Sequence, residues 1–308
     1  MNKKKQTIEI SFIILVSTIF FLYNKRVINT INFNLNNFFK YSFAPIFLSM
    51  TYSYLLIYFN FPYYLNRIIK NQYLCFFLLS LIMGFPNNIL MMKEYNIDIK
   101  DMENLICFTN MNSIFYLISI SKLIMNNYYW IVILIYYFMY FIVCLIFMRL
   151  NKRKMTIVKN TSDSFIVFIN KKIPIMITTL FSMITIILLF DTFSFFLTSN
   201  AIITVVLKGF LEFSSGLNYL IKMPISAIKK GLIELLILLN GSLSIHLQMS
   251  FLLKDYKINY KKFYIVTLLF KMLISILMFC LLYSCAFNIS KVTFIKCFGN
   301  WKIKFIKT

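Results

Sequence analysis

Apolar residues run along this chain in long blocks, neither alternating nor confined to a single helical stripe. Ile8 to Tyr23, Phe43 to Phe61, Trp130 to Leu150 and Tyr264 to Cys285 are each nearly continuous. A bilayer core about 30 Å thick takes ~20 such residues as a helix, so the pattern predicts an all-α membrane protein, a polytopic helical bundle with six to nine crossings or half-crossings. Two blocks stop early. From Tyr73 to Met83 the apolar run reaches only about 16 Å as a helix, and then the chain reads "GFPNN". Gly84 is poor in a helix interior, and Pro86 lacks an amide proton and clashes with the preceding turn, so a break is predicted there. Gly231 to Leu239 gives about 14 Å of helix before "NGSLSIHLQ" begins at Asn240. Backbone freed at membrane depth must be buried in protein or line a wet cavity, since lipid offers it no partner. Asn87 and Asn88 are suited to satisfy it. One interruption in each half predicts two pseudo-repeated halves containing broken helices or re-entrant hairpins, with a transport site between them.

Polar groups inside the blocks supply the candidate chemistry. In "LICFTNMNSIFYLISIS", residues 105 to 121, Thr109, Asn112 and Ser113 share a face if 104–122 is one helix, with Asn110 beside them. They read either as hydrogen-bonding glue between helices or as a binding surface. In "LKGFLEFSSGLNYLI", Glu212, Ser215 and Gly216 fall on one side of a helix, one turn after Lys208. An ionisable group at depth faces a cavity or a partner, so Glu212 is either a site residue or half of an interfacial ion pair with Lys208. Glu234 is the weaker candidate, because Lys230 stands one turn before it. Asn240, Ser244 and Gln248 recur every fourth residue and form a polar stripe if helical. His246, the single histidine, points elsewhere; it carries a proton, binds a carboxylate, or bonds two neighbours structurally.

Composition sharpens the class. The 308 residues are 60% hydrophobic and 19% aromatic, with a mean hydropathy of +0.77, well beyond a soluble domain. A net charge of +22, from 32 basic and 10 acidic residues, would suggest nucleic acid in a soluble chain. Here most Lys and Arg flank apolar runs, so no nucleic-acid partner is expected. The densest cluster, Arg149, Lys152, Arg153, Lys154 and Lys159, places the 151–164 linker in the cytoplasm by the positive-inside rule. Lys254 to Lys262 and the "MNKKK" start are expected there too, although Lys25 and Arg26 leave the direction of the first span open. The stretch "EISFIILVSTIFFLYNKRV" has no small-residue cleavage site and reads as a signal anchor. The organisation that follows is a single polytopic domain over 1–308. It comprises an anchor helix and loop (1–40), a first half (about 41–150), the basic linker, and a second half (about 165–288).

The six cysteines show no CxxC spacing and read as buried small hydrophobes. Glu94, Asp98, Asp101 and Glu103 alternate with Lys93 and Lys100 and read as a solvated cluster. There is no Gly-rich phosphate loop, no Ser, His and Asp at a recognisable spacing, and no second His or Cys to complete a metal site. Neither an enzyme nor a metal or other cofactor is expected.

These motifs, in this order, resemble the sporulation integral membrane protein family called YlbJ or SpoVV, whose members carry a nucleoside-recognition, or Gate, type of membrane domain. "GFPNNILMMK" resembles that family's Gly-Tyr-Pro-x-Gly-Ala-Lys element through Gly84, Phe85 and Pro86, and "FTNMNSIF" its Phe-x-Asn-Asn-Ser-Gly-Pro element through Phe108 and Asn110. "GFLEFSSG" is similar to a Gly-x-x-Glu-x-x-x-Gly element through Gly209, Glu212 and Gly216. "GSLSIHLQ" is similar to a Gly-Leu-Ser-Val-His-x-Gln element through Gly241, Leu243, Ser244, His246 and Gln248. The chain departs from the pattern at Asn88 and Leu90, where Gly and Lys are expected, and at Ser113 and Ile114, where Gly and Pro are expected; Lys93 is the nearest cation to the missing lysine.

The resemblance implies a multi-pass protein of the outer forespore membrane of an endospore former that moves dipicolinic acid, a flat dicarboxylate, toward the developing spore. Half-helix N-termini with free amide donors suit such an anion. On this reading Gly84, Pro86 and Gly241 shape the breaks, with Asn87 and Asn88 beside them, and Asn110, Ser244 and Gln248 contact substrate. Ser113 and Ser215 complete the cavity, and Glu212 or His246 couples transport to a proton or cation or fixes the network. A carrier for a nucleoside or another small metabolite, and a non-transporting scaffold for spore-envelope assembly, are the alternatives.

Overall fold

The computed structural model describes residues 21–151, 164–194 and 201–259, together with a few isolated positions. Its described elements are helical, with no strand among the described residues. Helix α1 (Asn24–Asn37) runs through a π-helical segment, Phe38–Phe43, into α2 (Ala44–Tyr58). The part of the predicted anchor loop that is described is therefore helical: its asparagines are weak helix formers, but continuity with α2 carries the helix through them. The chain then bends by 74° into amphipathic α3 (Phe61–Ile69), which buries Pro62 and exposes Tyr64 and Ile68.

Helices α4 (Gln72–Met83), α5 (Asn87–Glu94), α6 (Ile99–Thr109), α7 (Ile114–Met125) and α8 (Tyr129–Leu150) complete the first half. The 22 residues of α8 span about 33 Å at 1.5 Å per residue. Asn151 just beyond its C-terminus accepts a hydrogen bond from Asn104 Nδ2 at 3.4 Å, while tyrosines midway along it meet the interval between α6 and α7. Helices α6 and α7 therefore form one crossing, antiparallel to α8 and interrupted near its middle. Helix α4 runs alongside, with Tyr73 against Phe108 and Phe77 against Phe141, and ends at Gly84. Helix α5 then returns to where α6 begins. The α4–α5 pair is a helical hairpin that turns at Gly84.

The second half holds α9 (Phe165–Ser194), α10 (Ala201–Leu211), α11 (Phe213–Lys222), α12 (Ala227–Asn240) and α13 (Leu243–Leu252). Along a continuous helix Gly209 and Gly216 would lie about 10 Å apart. Instead, a Cβ on Gly216 would sit 2.4 Å from Gly209 Cα, so α10 and α11 double back at Glu212 as a second helical hairpin. Helix α12 starts beside the α7 C-terminus, where a Cβ on Gly231 would meet Met125 Sδ at 2.5 Å. Beyond α13, Asn259 N donates to Glu103 at 2.6 Å, at the Asn151 end. The α12–α13 pair is thus a broken crossing antiparallel to α6–α7, and the two hairpins enter from opposite ends of the bundle.

Three helical stretches are long and apolar enough to cross a membrane, Ile99–Leu150, Phe165–Ser182 and Ala227–Leu252, or four if the bent pair Val27–Tyr58 and Phe61–Ile69 counts as one span. This is fewer than the six to nine expected. Hairpin arms such as α4 are too short to cross, and most residues of the predicted spans Ile8 to Tyr23 and Tyr264 to Cys285, like most of the basic linker, lie outside the described residues. The core between α2 and α8 is aromatic and methionine-rich. Phe76, Phe108 and Tyr136 are almost wholly buried, with Met50, Met83, Met91, Met92 and Met102 filling the gaps between them.

Candidate functional site

Gly84 caps α4 with φ +64°, and a Cβ there would lie 2.4 Å from Ser113 N. Only glycine accepts both the conformation and the approach. The two interruptions of the first half therefore touch: Phe85 N donates to Met111 O at 2.8 Å. Asn87 Nδ2 bonds Met83 O at 3.0 Å, and Asn88 Nδ2 bonds Thr109 O. Both asparagines satisfy freed carbonyls, as their position predicts.

Residues 104–122 are not one helix. The chain leaves the helix at Asn110 and restarts at Ser113, whose hydroxyl caps α7 by accepting from Tyr116 N at 3.4 Å. Thr109 thus ends α6 while Asn112 and Ser113 belong to the break, so the three do not form one helical stripe. The backbone of the break is satisfied by α8. Tyr136 Oη accepts from Asn112 N at 2.9 Å and from Asn112 Nδ2 at 3.3 Å. Tyr137 donates to Asn112 O at 3.0 Å, and Tyr140 to Asn110 O at 3.1 Å. These three tyrosines were not foreseen. Their signal was a run of polar-tipped aromatics inside a span that aliphatic residues would have filled.

Glu212 is likewise at a break and not on a helical face. It caps α11, its Oε2 accepting from Ser215 N at 2.6 Å and from Ser214 Oγ at 2.6 Å, and it is 2% exposed. An acidic N-cap matches the positive end of the helix dipole. Lys208 does not pair with it; the ammonium lies 3.7 Å from the Tyr219 ring centroid. The fourth break falls at Gly241, φ +62°, and Ser242 caps α13 by accepting from Ile245 N at 3.3 Å. This splits the expected stripe. Asn240 ends α12 and bonds Leu236 O at 2.7 Å, whereas Ser244, buried against the Ser242 hydroxyl at 2.5 Å, and Gln248 lie on α13. His246 is half-buried, its ring edge-on to Tyr264 at 5.6 Å. Helix α13 packs against α9 and α10, so Gly241, Ser244, His246 and Gln248 are grouped apart from Gly84, Asn110 and Ser113. The tip that faces the first hairpin across the bundle is the one at Glu212.

Between these tips lies a small, partly open cleft with room for little more than a water molecule. Phe85, following Gly84, and Phe213, following Glu212, are both in its walls. Asn112, Ser113 and Tyr116 line it between them, and Ile46 and Ser49 of α2 close the side. Beside it, the Ser42 and Tyr116 hydroxyls lie within hydrogen-bonding reach of each other, and Asn110 Oδ1, in the adjoining break, is buried without a hydrogen-bond partner among the described residues. Tyr116 also packs edge-on against Phe213 at 5.4 Å. Such orphaned polar atoms are uncommon in a folded interior. The N-termini of α7 and α11 both abut the cleft. The first is capped by a neutral hydroxyl and the second by a carboxylate, so a ligand anion is favoured on the Ser113 side. Among the described residues no three His, Cys, Asp or Glu side chains gather as a metal site would.

Neither a family model, nor a curated protein, nor a solved structure matches this chain.

Proposed function

We propose that the chain is a membrane carrier for a small, flat solute with a polar edge, bound where the two hairpin tips meet. One observation carries this reading: tips entering from opposite ends stop at a common cleft walled by Phe85 and Phe213 and lined by Asn112, Ser113 and Tyr116. Aromatic walls suit a planar ring, and a helix N-terminus beside the Ser113 and Tyr116 hydroxyls suits its carboxylate or amide edge. The order of elements supports two inverted pseudo-repeats, each a re-entrant hairpin followed by a broken crossing, the arrangement in which alternating-access carriers hold substrate at the midplane. Dipicolinic acid at the outer forespore membrane is the substrate and place that the family resemblance suggests. Its transport would be coupled to a proton or cation through Glu212 or His246.

The test is uptake by proteoliposomes containing the purified chain, with labelled dipicolinate and labelled nucleosides offered separately. Dipicolinate flux that falls at least about tenfold in Phe213→Ala and Ser113→Ala, with both variants still folded, supports the proposal. Nucleoside flux alone keeps the carrier and replaces its substrate. Well-folded protein that moves neither solute sinks it in favour of a scaffold, a role the tyrosine-satisfied break of α6–α7 would also serve.

A further inference from the structure

Glu234 lies in the membrane-spanning α12 and is 0% exposed, and it takes no part in the cleft described above. Its Oε1 accepts a hydrogen bond from Ser121 Oγ of α7. Its Oε2 is buried without a partner among the described residues. Lys230, the cation one turn away, is turned from it and donates to Ile221 O at 2.7 Å. One turn along the same seam, Gly231 brings α12 against Met125 of α7. This seam joins the two halves of the molecule: α7 carries the first half's broken crossing and α12 the second's. A carboxylate with no cation in so dry a place is costly, and such a group takes up a proton instead.

The other ionisable groups on the elements packed against α12 are already engaged or directed away. On α7, Tyr116 is within electrostatic reach of Glu234 and Glu212, and Lys122 is exposed. On α8, Tyr136, Tyr137 and Tyr140 serve the α6–α7 break, Cys144 is a buried free thiol, and Arg149 is exposed near the far end. Lys208 of α10 lies over Tyr219 of α11, and Lys222 of α11 lies 3.9 Å from the Phe33 ring centroid.

We propose that Glu234 is a proton-binding site at the seam between the halves. Protonated, it allows α7 and α12 to remain packed through Ser121 and Gly231; when the proton leaves, the uncompensated carboxylate loosens that contact. The chemistry is one proton taken up by a carboxylate oxygen and released again, with no other reactant. The inference depends on the carrier reading only for what the proton drives.

The experiment uses the full chain in lipid nanodiscs, its native cysteines replaced, with Met125→Cys and Gly231→Cys placing a thiol pair across the seam. Cross-linking rates are followed from acid to alkaline pH and divided by those of the same protein carrying Glu234→Gln, which keeps the shape and the bond to Ser121 but cannot ionise. The expected ratio falls as pH rises, by up to about tenfold per pH unit within the titration, the change set by one proton held in one state and not the other. A ratio that stays flat overturns the proposal. If Glu234→Gln does not fold, hydrogen exchange of the unsubstituted protein decides, corrected for the intrinsic rate. Peptides from α7 and α12 should lose protection at alkaline pH while α8 does not; loss spread evenly over all three, or none, is the overturning result. Neither readout uses transport, so a pH-sensitive seam in a protein without flux retains the proton site and sinks the carrier, and flux with a pH-insensitive seam does the reverse.

Discussion

Tyr136 and Tyr140 flank the same break but do unequal work. The Tyr136 hydroxyl accepts a backbone N–H, that of Asn112, and a buried amide left without an acceptor costs about 1–3 kcal/mol. The Tyr140 hydroxyl serves a carbonyl, and under-satisfied carbonyls are better tolerated. Tyr136→Phe should therefore destabilise by about 1–3 kcal/mol and Tyr140→Phe by about 1 kcal/mol or less, measured by denaturant unfolding in one detergent; the reverse ranking would contradict the assignment of donors. Glycines differ in the same manner. A Cβ at Gly84 meets the backbone of Ser113 at a positive φ, whereas one at Gly231 meets the flexible thioether of Met125. Gly84→Ala is expected to cost more than about 3 kcal/mol or to prevent folding, and Gly231→Ala no more than about 1 kcal/mol. Thermal melts of the two variants check the contrast.

At the scale of elements, the breaks were unevenly legible in the sequence. Gly84 with Pro86, and Gly241, interrupt apolar runs with residues that cannot continue a helix comfortably, so both could be read directly. The breaks at Asn110–Ser113 and at Glu212 contain neither glycine nor proline. Their polar residues fall at helical spacing and mimic a face, and only tertiary partners, the tyrosines of α8 and the capping bonds of Glu212, make the non-helical path the stable one. The acidic cluster is only partly solvated: Asp98 is exposed, as its pattern suggests, but its neighbours are engaged. Asp101 is buried, Glu94 pairs with Lys172 of α9, and Glu103 accepts from Asn259, so charges that looked solvated tie the α5–α6 turn to the second half. The Glu94 and Lys172 side chains are 32% and 11% exposed. A double-mutant cycle with Glu94→Gln and Lys172→Met should give a coupling of no more than about 1 kcal/mol that shrinks with added salt. A larger, salt-insensitive value would mean that the pair is shielded from solvent.

For the molecule as a whole, the contacts of Asn151 with Asn104, Lys172 with Glu94 and Asn259 with Glu103 gather the edges of both basic stretches at one end. The turn Asn126–Tyr128 lies at the other end of α8, about 33 Å away. Single cysteines at Asn96 and Lys257, both exposed, should be labelled by an impermeant maleimide from the same side of a sealed vesicle, and one at Asn127 from the opposite side. Labelling of Asn96 and Asn127 positions from one face would refute the crossing assigned to α6–α7. The positive-inside rule predicts that the first of these faces is the cytoplasmic one.

Because the gap in the α6–α7 crossing is closed by phenol groups of α8, its loose peptide ends have no need of solvent. A helix pair joined in this way can stay dry at its break, yet still keep a joint in the middle of the rod at which the two pieces can pivot.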